Sequence, residues 1–310
     1  MCRFHYNKDE FDSADAVIFH HSDINIDELK QLAVQRHLKQ RFVYACHESA
    51  AYQEASLLYN VPANFFNWTF TMRHDSDIIF PYGNYMKLKD VNQLTIEKNI
   101  AHMVSSKRKV AAWMASHCLT ITEREKYIKT LILLGFPLDT YGRCGTIYFN
   151  RSRIQDSYKL IGRNYKFYFA LENSMCRDYV TEKAWYAMNH GTIPIVLNHQ
   201  VGQSILPPRS FIALDNFTSV DSFMKYILKL SANSTAYEEY YHWRYKYKEC
   251  GYYPGSRYYL CALCEKLLCE NSSTKWYFNI SKWWYDGSNC VKTSNIDVLL
   301  GNKSSQIKDL

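Results

Sequence analysis

The chain has 310 residues, of which 47% are hydrophobic and 22% are charged. This length and apolar content predict two compact domains or one large one, and they exclude disorder, collagen and coiled coil. The 37 basic and 30 acidic residues give a formal net charge of +7. Because the basic residues are dispersed along the chain, this charge favours a small anionic ligand over a nucleic acid.

Short apolar runs alternate with helical patterns along the chain, which is typical of α/β proteins. A polar segment, residues 87–108, contains no strong strand and is predicted to connect two domains, after which the alternation restarts. Strands and helices in this order predict parallel, doubly wound sheets, which bind ligands beyond the carboxyl ends of their strands. The predicted strands are 16–19, 42–45, 110–115, 138–141, 165–171 and 193–197, and the predicted helices are 27–38, 122–134 and 181–189.

The predicted fold class is therefore α/β, with two Rossmann-like domains that face each other across a cleft. Residues 1–95 are expected to form the first domain, 96–107 a linker, 108–269 the second domain, and 270–310 a tail of uncertain structure. The longest charge-free stretch, residues 184–208, is too polar to span a bilayer as one apolar helix.

Ten cysteines and seven Asn-x-Ser/Thr sequons indicate the secretory lumen, where disulfides persist and asparagines are glycosylated. About two or three sequons would arise by chance, and an Asn- and Ser-rich cytosolic protein is the alternative. Cys118 and Cys144 flank one strand–helix–strand unit and are a candidate pair, whereas Cys176 with Cys250 is a guess. The glycosylation candidates are Asn67, Asn150, Asn216, Asn233, Asn271, Asn279 and Asn302.

The loop that follows the strand at 165–171 has the character of a nucleotide site. Asn173 lies just beyond the strand, and Thr181 is predicted to cap a helix whose first turn contains Glu182 and Lys183. The peptide N–H groups and the dipole at this helix end attract anions, so ribose and phosphates are expected here. Simple stabilisation of the helix dipole by Glu182 is the alternative.

Four blocks of sequence occur in the order of one enzyme family. They are ADAVIFHH at residues 14–21, HES at 47–49, FNWT through RHDSDI to PYG at 66–83, and FYFALENSMCRDYVTEKAW at 167–185, continuing to GTIPIV at 191–196. Together they resemble the α-1,3-fucosyltransferases, glycosyltransferase family 10. The resemblance runs from about residue 12 to residue 264.

The resemblance implies a GT-B fold with an acceptor-binding first domain and a GDP-fucose-binding second domain. It implies inverting transfer of L-fucose from GDP-β-L-fucose to O3 of a GlcNAc in a glycoprotein or glycolipid glycan. Inversion in one displacement requires a base that takes the proton of the acceptor hydroxyl. The resemblance also implies a Golgi location, reached through an N-terminal anchor and stem that this chain lacks. A truncated, non-catalytic isoform that binds nucleotide or glycan is the alternative function.

The resemblance assigns roles to individual residues. Glu48 matches the acceptor-domain glutamate and is the predicted base, although Ala50 stands where the family usually has proline. On the donor side, Arg124 is expected to bind the diphosphate, and Lys126 is the alternative if the register slips by two. Lys183 is expected to be the second phosphate cation. The residues expected to contact ribose, base or fucose hydroxyls are Asn173, Tyr179 and Glu182. The expected acceptor-binding residues are Arg73, Asp75 and Asp77, and turn stabilisation is an equal alternative for the two aspartates.

No metal is expected, because the cations above can balance the charge of the departing GDP. Cys261 and Cys264 resemble half of a zinc knuckle, but no second pair lies at a suitable spacing. The family resemblance instead implies that this pair forms disulfides back to the N-terminal region, with Cys2 as a partner candidate. No aromatic and basic motif supports nucleic-acid binding.

Overall fold

A computed structural model describes residues 2–52, 55–90, 92–149, 154–249, 257–269, 275–291 and 296–301. The chain divides into two compact units. Unit 1 comprises Met1–Pro81, Cys176–Tyr179 and Tyr253–Cys290, and unit 2 comprises Tyr82–Met175, Val180–Tyr252 and Val291–Leu310. The chain thus leaves unit 1 earlier than the predicted boundary at residue 95, and it returns to unit 1 twice.

Unit 1 is built on a parallel four-stranded sheet in the order β1-β2-β3-β4. Its strands are β1 (Ala16–His20), β2 (Arg41–Cys46), β3 (Trp68–Thr71) and β4 (Ile78–Ile79), and its helices are α1 (Ile26–Gln35), α2 (Ala55–Tyr59) and α10 (Arg257–Cys269), with short helical turns at Lys8–Ser13, His21–Asp23, Ala50–Tyr52 and Lys282–Asp286. Strand β2 is buried from Phe42 to Cys46, as expected for an inner parallel strand. Helix α10 packs Leu263 against the sheet beside Trp68 and Phe70.

Residues 275–290, predicted as part of a tail of uncertain structure, belong to unit 1. The backbone N–H of Tyr277 donates to the carbonyl of Phe66, and the N–H of Asn64 donates to the carbonyl of Tyr277. Trp284 is fully buried and its ring lies 5.6 Å from that of Tyr44. This apolar contact explains why the segment folds back onto the sheet.

Three disulfides join described cysteines. Cys2 pairs with Cys264 and Cys118 with Cys144, which confirms both of those predictions. The guess for Cys176 is wrong, because Cys176 pairs with Cys290, brought near by the returning segment. Cys250 lies outside the described residues.

Asn67 is a structural residue, which corrects its place among the glycosylation candidates. Its side chain is fully buried, where Oδ1 accepts from the N–H of Phe42 at 2.9 Å and from Arg36. Its Nδ2, the atom that a glycan would occupy, donates to the carbonyl of Lys275 at 3.0 Å. Of the other candidates, Asn216, Asn233 and Asn279 are exposed, and Asn150, Asn271 and Asn302 lie outside the described residues.

We expect Asn67→Ala to lower the free energy of unfolding by about 2–4 kcal/mol, because it leaves buried backbone groups without their partners. Urea unfolding measures this loss. Peptide mapping after enzymatic deglycosylation of the secreted chain should find no glycan at Asn67. A glycan there, or a loss below about 1 kcal/mol, would contradict the buried network.

Unit 2 contains a five-stranded parallel sheet in the order β10-β9-β8-β6-β7. Its strands are β5 (Tyr85–Lys87), β6 (Lys109–Met114), β7 (Leu138–Tyr141), β8 (Tyr165–Phe169), β9 (Ile193–Val196), β10 (Ile212–Ala213) and β11 (Tyr247–Glu249), and its helices are α3 (Gln93–Ser106), α4 (Arg124–Leu133), α5 (Ile154–Asn164), α6 (Glu182–Asn189), α7 (His199–Ile205), α8 (Val220–Ala232), α9 (Ser234–Glu238) and α11 (Ile296–Leu300), with 3₁₀ turns at Leu214–Asn216 and Glu239–Tyr245. The predicted strandless connection, residues 87–108, is mostly helix α3, and β5 pairs antiparallel with β11.

Both faces of this sheet are covered, as the doubly wound prediction requires. Phe167 and Phe169 of β8 pack in one apolar cluster with Tyr127 of α4 and Phe223 of α8. The alternate residue Tyr168 packs in a second cluster, with Trp185 of α6 and residues of α5. None of the helices in the described part of the chain is both long and apolar enough to cross a membrane.

Candidate active site

The strand order of unit 2 defines one point where a ligand crevice is expected. Numbered along the chain, its five parallel strands run 2-1-3-4-5, so the order reverses between β6 and β8. Doubly wound sheets bind ligands beyond the carboxyl ends of the strands at such a reversal. The segments that leave these two strand ends lead into α4 and α6, the helices that carry the predicted diphosphate cations.

Arg124, the first residue of α4, joins the segments that follow β6 and β8. Its Nη2 donates to the carbonyl of His117 at 2.9 Å, and its Nη1 donates to the carbonyl of Leu171 at 2.6 Å. Its Nε pairs with Glu125 at 3.2 Å, and the side chain is only 3% exposed. In this structure the guanidinium therefore holds the two segments together, and a diphosphate contact would use its other N–H bonds.

The start of α6 is organised by Glu172, which the sequence places with Asn173 at the strand end where ribose and phosphates are expected. Its Oε1 accepts from the N–H of Thr181 at 2.8 Å and from the hydroxyl of Thr181 at 2.7 Å. Its Oε2 accepts from Nζ of Lys183 at 2.8 Å. Thr181 is the N-cap residue of α6, as predicted, but its hydroxyl donates to Glu172 and makes no capping bond to the helix.

Charge is closely balanced in this cluster. Burial lowers the pKa of Lys183, but the carboxylates of Glu172 and Glu182 more than offset it, so the pKa is raised and the amine stays protonated. Burial raises the pKa of Glu182, but Lys183 more than offsets it, so the pKa is lowered. The Lys183 side chain is 18% exposed, and its Nζ also donates to the hydroxyl of Thr181 at 2.7 Å and to Glu182 at 3.4 Å. An incoming anion would therefore replace one of these three contacts. Asn173 directly follows Glu172 in sequence and is half-buried. Its Oδ1 accepts a hydrogen bond from the hydroxyl of Ser174.

The predicted base lies at the carboxyl ends of the unit 1 strands. Glu48 follows β2, and Arg73 and His74 follow β3, its parallel neighbour. The hydroxyl of Tyr179 donates to Oε1 of Glu48, and the N–H of Ser49 donates to the same oxygen at 2.9 Å. Tyr179, which the resemblance places on the donor, is thus bonded in this structure to the predicted base.

Two of the three predicted acceptor contacts are buried and paired with other side chains in this structure. Arg73 is 1% exposed, forms a two-pronged pair with Asp75 at 2.6 and 2.9 Å, and donates to the carbonyl of Trp283. The side chain of Asp77 is 6% exposed and accepts from Thr69, Lys275 and Tyr277. These buried contacts occupy the groups that an acceptor sugar would need. Asp75 is more open, since its side chain is 35% exposed.

His74 and Asp178 form a titratable pair. His74 lies in the loop after β3, and Asp178 directly precedes Tyr179 in sequence. Oδ2 of Asp178 accepts from the N–H of His74 at 3.0 Å, and Oδ1 lies 3.5 Å from Nδ1 of the ring. The hydrogen bond to Asp178 raises the pKa of His74, although partial burial lowers it somewhat. Burial raises the pKa of Asp178, but its bonds to His74 outweigh this, so the pKa is lowered.

This pair should make stability depend on pH. A histidine whose pKa is raised by folding contributes stability that is complete below about pH 6.5 and is lost as the pH rises through the folded value. We therefore expect His74→Gln to lower the melting temperature more at pH 6 than at pH 8. In a chain that also has Asp178→Asn, His74→Gln should lower the melting temperature by nearly the same amount at both pH values. If the effect of His74→Gln still differs between pH 6 and pH 8, another group causes the pH dependence.

Within the described ranges, no group of three or more His, Cys, Asp or Glu side chains is placed to hold a metal ion. Each unit thus has one candidate cluster of its own. The cluster of unit 2 surrounds Lys183 at the strand reversal, and the cluster of unit 1 surrounds Glu48 at the strand ends.

Two α/β units on parallel sheets, with polar clusters at the carboxyl ends of the strands, are the architecture of the GT-B fold. The chain resembles the crystal structure of an α1,3-fucosyltransferase with GDP-fucose at a TM-score of 0.51, covering 84% of this chain and 92% of that one. The sequence identity is 16%, so this likeness concerns the fold alone. Sequence models of the fucosyltransferase N-terminal region and of the glycosyltransferase family 10 (fucosyltransferase) C-terminal region match residues 1–83 and 104–283. The chain belongs to glycosyltransferase family 10.

Curated relatives agree with this membership. The chain is 33% identical to α-(1,3)-fucosyltransferase fut-6 of Caenorhabditis elegans, over 93% of this chain and 74% of that protein. It is 31% identical to α-(1,3)-fucosyltransferase C of Drosophila melanogaster, over 88% of this chain and 65% of that protein. The chain therefore corresponds to about two thirds to three quarters of these two relatives.

Proposed function

We propose that this fucosyltransferase transfers L-fucose from GDP-β-L-fucose to O3 of a GlcNAc in a glycoprotein or glycolipid glycan, with inversion at the anomeric carbon. The observation that carries the proposal is the Glu172–Thr181–Lys183 cluster, which holds a protonated lysine at the strand reversal of unit 2. The names of the relatives support fucose transfer to position 3, and the solved structure with GDP-fucose supports the donor.

On the donor side, Lys183 binds the diphosphate and balances its charge as GDP departs. A protonated amine at the start of a helix combines a point charge with the N–H groups of the first turn. Arg124 adds a second positive charge at the same crevice. Glu182 and Asn173 supply a carboxylate and an amide for hydroxyl groups of the donor, for which both are good hydrogen-bond partners.

On the acceptor side, Glu48 is the base. It takes the proton of the GlcNAc O3 hydroxyl while that oxygen forms a bond to C1 of fucose and the bond from C1 to the GDP oxygen breaks. One displacement on the face opposite GDP converts the β-linked donor into an α-fucoside. Asp75, the more exposed aspartate after β3, is the acceptor contact that we retain.

We place this reaction in the Golgi lumen. Three disulfides join six of the described cysteines, and such bonds persist in oxidising compartments. The exposed sequons at Asn216, Asn233 and Asn279 fit the same compartment.

Turnover by the purified chain tests the proposal. The chain is incubated with GDP-fucose and either N-acetyllactosamine or a core chitobiose glycan, and GDP binding is measured by calorimetry. We expect GDP release and an α-fucoside at O3, identified by NMR, on one of the two acceptors. GDP binding without turnover would instead support the non-catalytic nucleotide-binding isoform, and neither binding nor turnover would overturn the proposal.

A further inference from the structure

Residues 176–179 belong to unit 1, although the residues before and after them in sequence belong to unit 2. This segment ends at Tyr179, whose side chain is buried and whose hydroxyl donates to Oε1 of Glu48. The N–H of Ser49 donates to the same oxygen. Two donors on one carboxylate oxygen fix the orientation of the carboxylate, because rotation about the last side-chain bond would break both bonds.

The segment itself is held at each of its first three residues. Cys176 is bonded to Cys290, with the two Cα atoms 4.0 Å apart. The N–H of Arg177 donates to the carbonyl of Ser288 at 2.8 Å. Asp178 has a positive φ of 58°, a conformation that costs a non-glycine residue about 1 kcal/mol or more, and its carboxylate accepts from the N–H of His74. Because the backbone is restrained just before Tyr179, the hydroxyl of Tyr179 is held in a fixed position relative to Glu48.

We infer that Tyr179 is a positioning residue for Glu48: its hydroxyl holds the carboxylate in one orientation, so that the base is in place for the acceptor proton. This inference rests on the proposed function, in which Glu48 is the base. A base that is already oriented can take the proton without first rearranging.

The inference differs from the donor-binding role that the resemblance gives to Tyr179. A donor-binding hydroxyl changes the affinity for GDP-fucose when it is removed, whereas a positioning hydroxyl changes the behaviour of the base. The two roles therefore predict different kinetic parameters for the same variant.

Steady-state kinetics of Tyr179→Phe separate these roles. We expect kcat to fall about 10- to 100-fold, the loss for one hydrogen bond to a charged group. We expect KM for GDP-fucose to change less than about threefold. Tyr148→Phe, which removes the hydroxyl of a tyrosine that is 87% exposed, is the matched control and should leave both quantities unchanged.

A variant with the wild-type kcat would overturn the inference, and so would one whose main defect is a raised KM for GDP-fucose. If Tyr179→Phe does not fold, 4-aminophenylalanine and 4-fluorophenylalanine introduced at position 179 alone fill similar space with and without a hydrogen-bond donor. Only the fluoro variant should lose kcat, and equal kcat values in the two would overturn the inference. A wild-type chain without turnover on any acceptor would instead overturn the proposed function and the inference with it.

Discussion

Glu48→Gln is expected to lower kcat by about 10²- to 10⁴-fold, the contribution of a general base. The amide has nearly the shape of the carboxylate and keeps an oxygen that can accept from Tyr179 and Ser49, so the loop after β2 should keep its structure. The amide has no basic oxygen that could take the acceptor proton, so only the rate of the chemical step should fall. Turnover on the preferred acceptor measures the loss, and GDP affinity should stay within about twofold of wild type.

Two comparisons make the Glu48 result specific. Glu265→Gln changes an exposed carboxylate on α10 of the same unit and should leave kcat unchanged. Asp75→Asn changes the rival carboxylate, which is already bonded to Arg73 and 3.3 Å from Arg177. If Asp75→Asn abolishes turnover with the fold intact while Glu48→Gln does not, the base is Asp75.

Much of the sheet of unit 2 could be predicted from the sequence, because buried parallel strands are continuous apolar runs. The prediction of 138–141 matches β7, and that of 110–115 is displaced from β6 by one residue. Helix α3 was missed because Ile100 is its one fully buried side chain among the described residues, so its sequence carries only a weak apolar stripe. Strand β3 was recognised as a motif and not as a strand, because at four residues it is too short to show a clear alternation or apolar run.

The candidate site was predictable only where its residues are close in sequence. Thr181, Glu182 and Lys183 share one helix start, so their grouping is visible in the chain. Contacts across long separations are not, and the bond from Tyr179 to Glu48 joins residues 131 positions apart. The Cys176–Cys290 disulfide spans 114 positions, and among ten cysteines no spacing rule selects it. Local pattern also could not show that Arg73 and Asp77 are buried, because a loop of charged residues usually faces water.

Lys183→Met is expected to have the second large effect, on stability as well as on donor binding. The ammonium is the cation that Oε2 of the buried Glu172 contacts at 2.8 Å. Removing one partner of a buried ion pair costs about 3–5 kcal/mol, because it leaves the other charge uncompensated. Losing the phosphate contact should weaken GDP binding about 10- to 100-fold. Urea unfolding and calorimetry measure the two effects separately.

The double variant Glu172→Gln, Lys183→Met separates the structural role of Lys183 from its role toward the diphosphate. Glutamine keeps an oxygen for Thr181 and removes the uncompensated charge, so most of the lost stability should return. GDP affinity should stay as low as in Lys183→Met, because no ammonium faces the phosphates. Lys229→Met, on the exposed surface of α8, is the control and should match wild type in both measurements. If the double variant regains GDP affinity together with stability, Lys183 acts only by holding Glu172, and the diphosphate is bound by other groups.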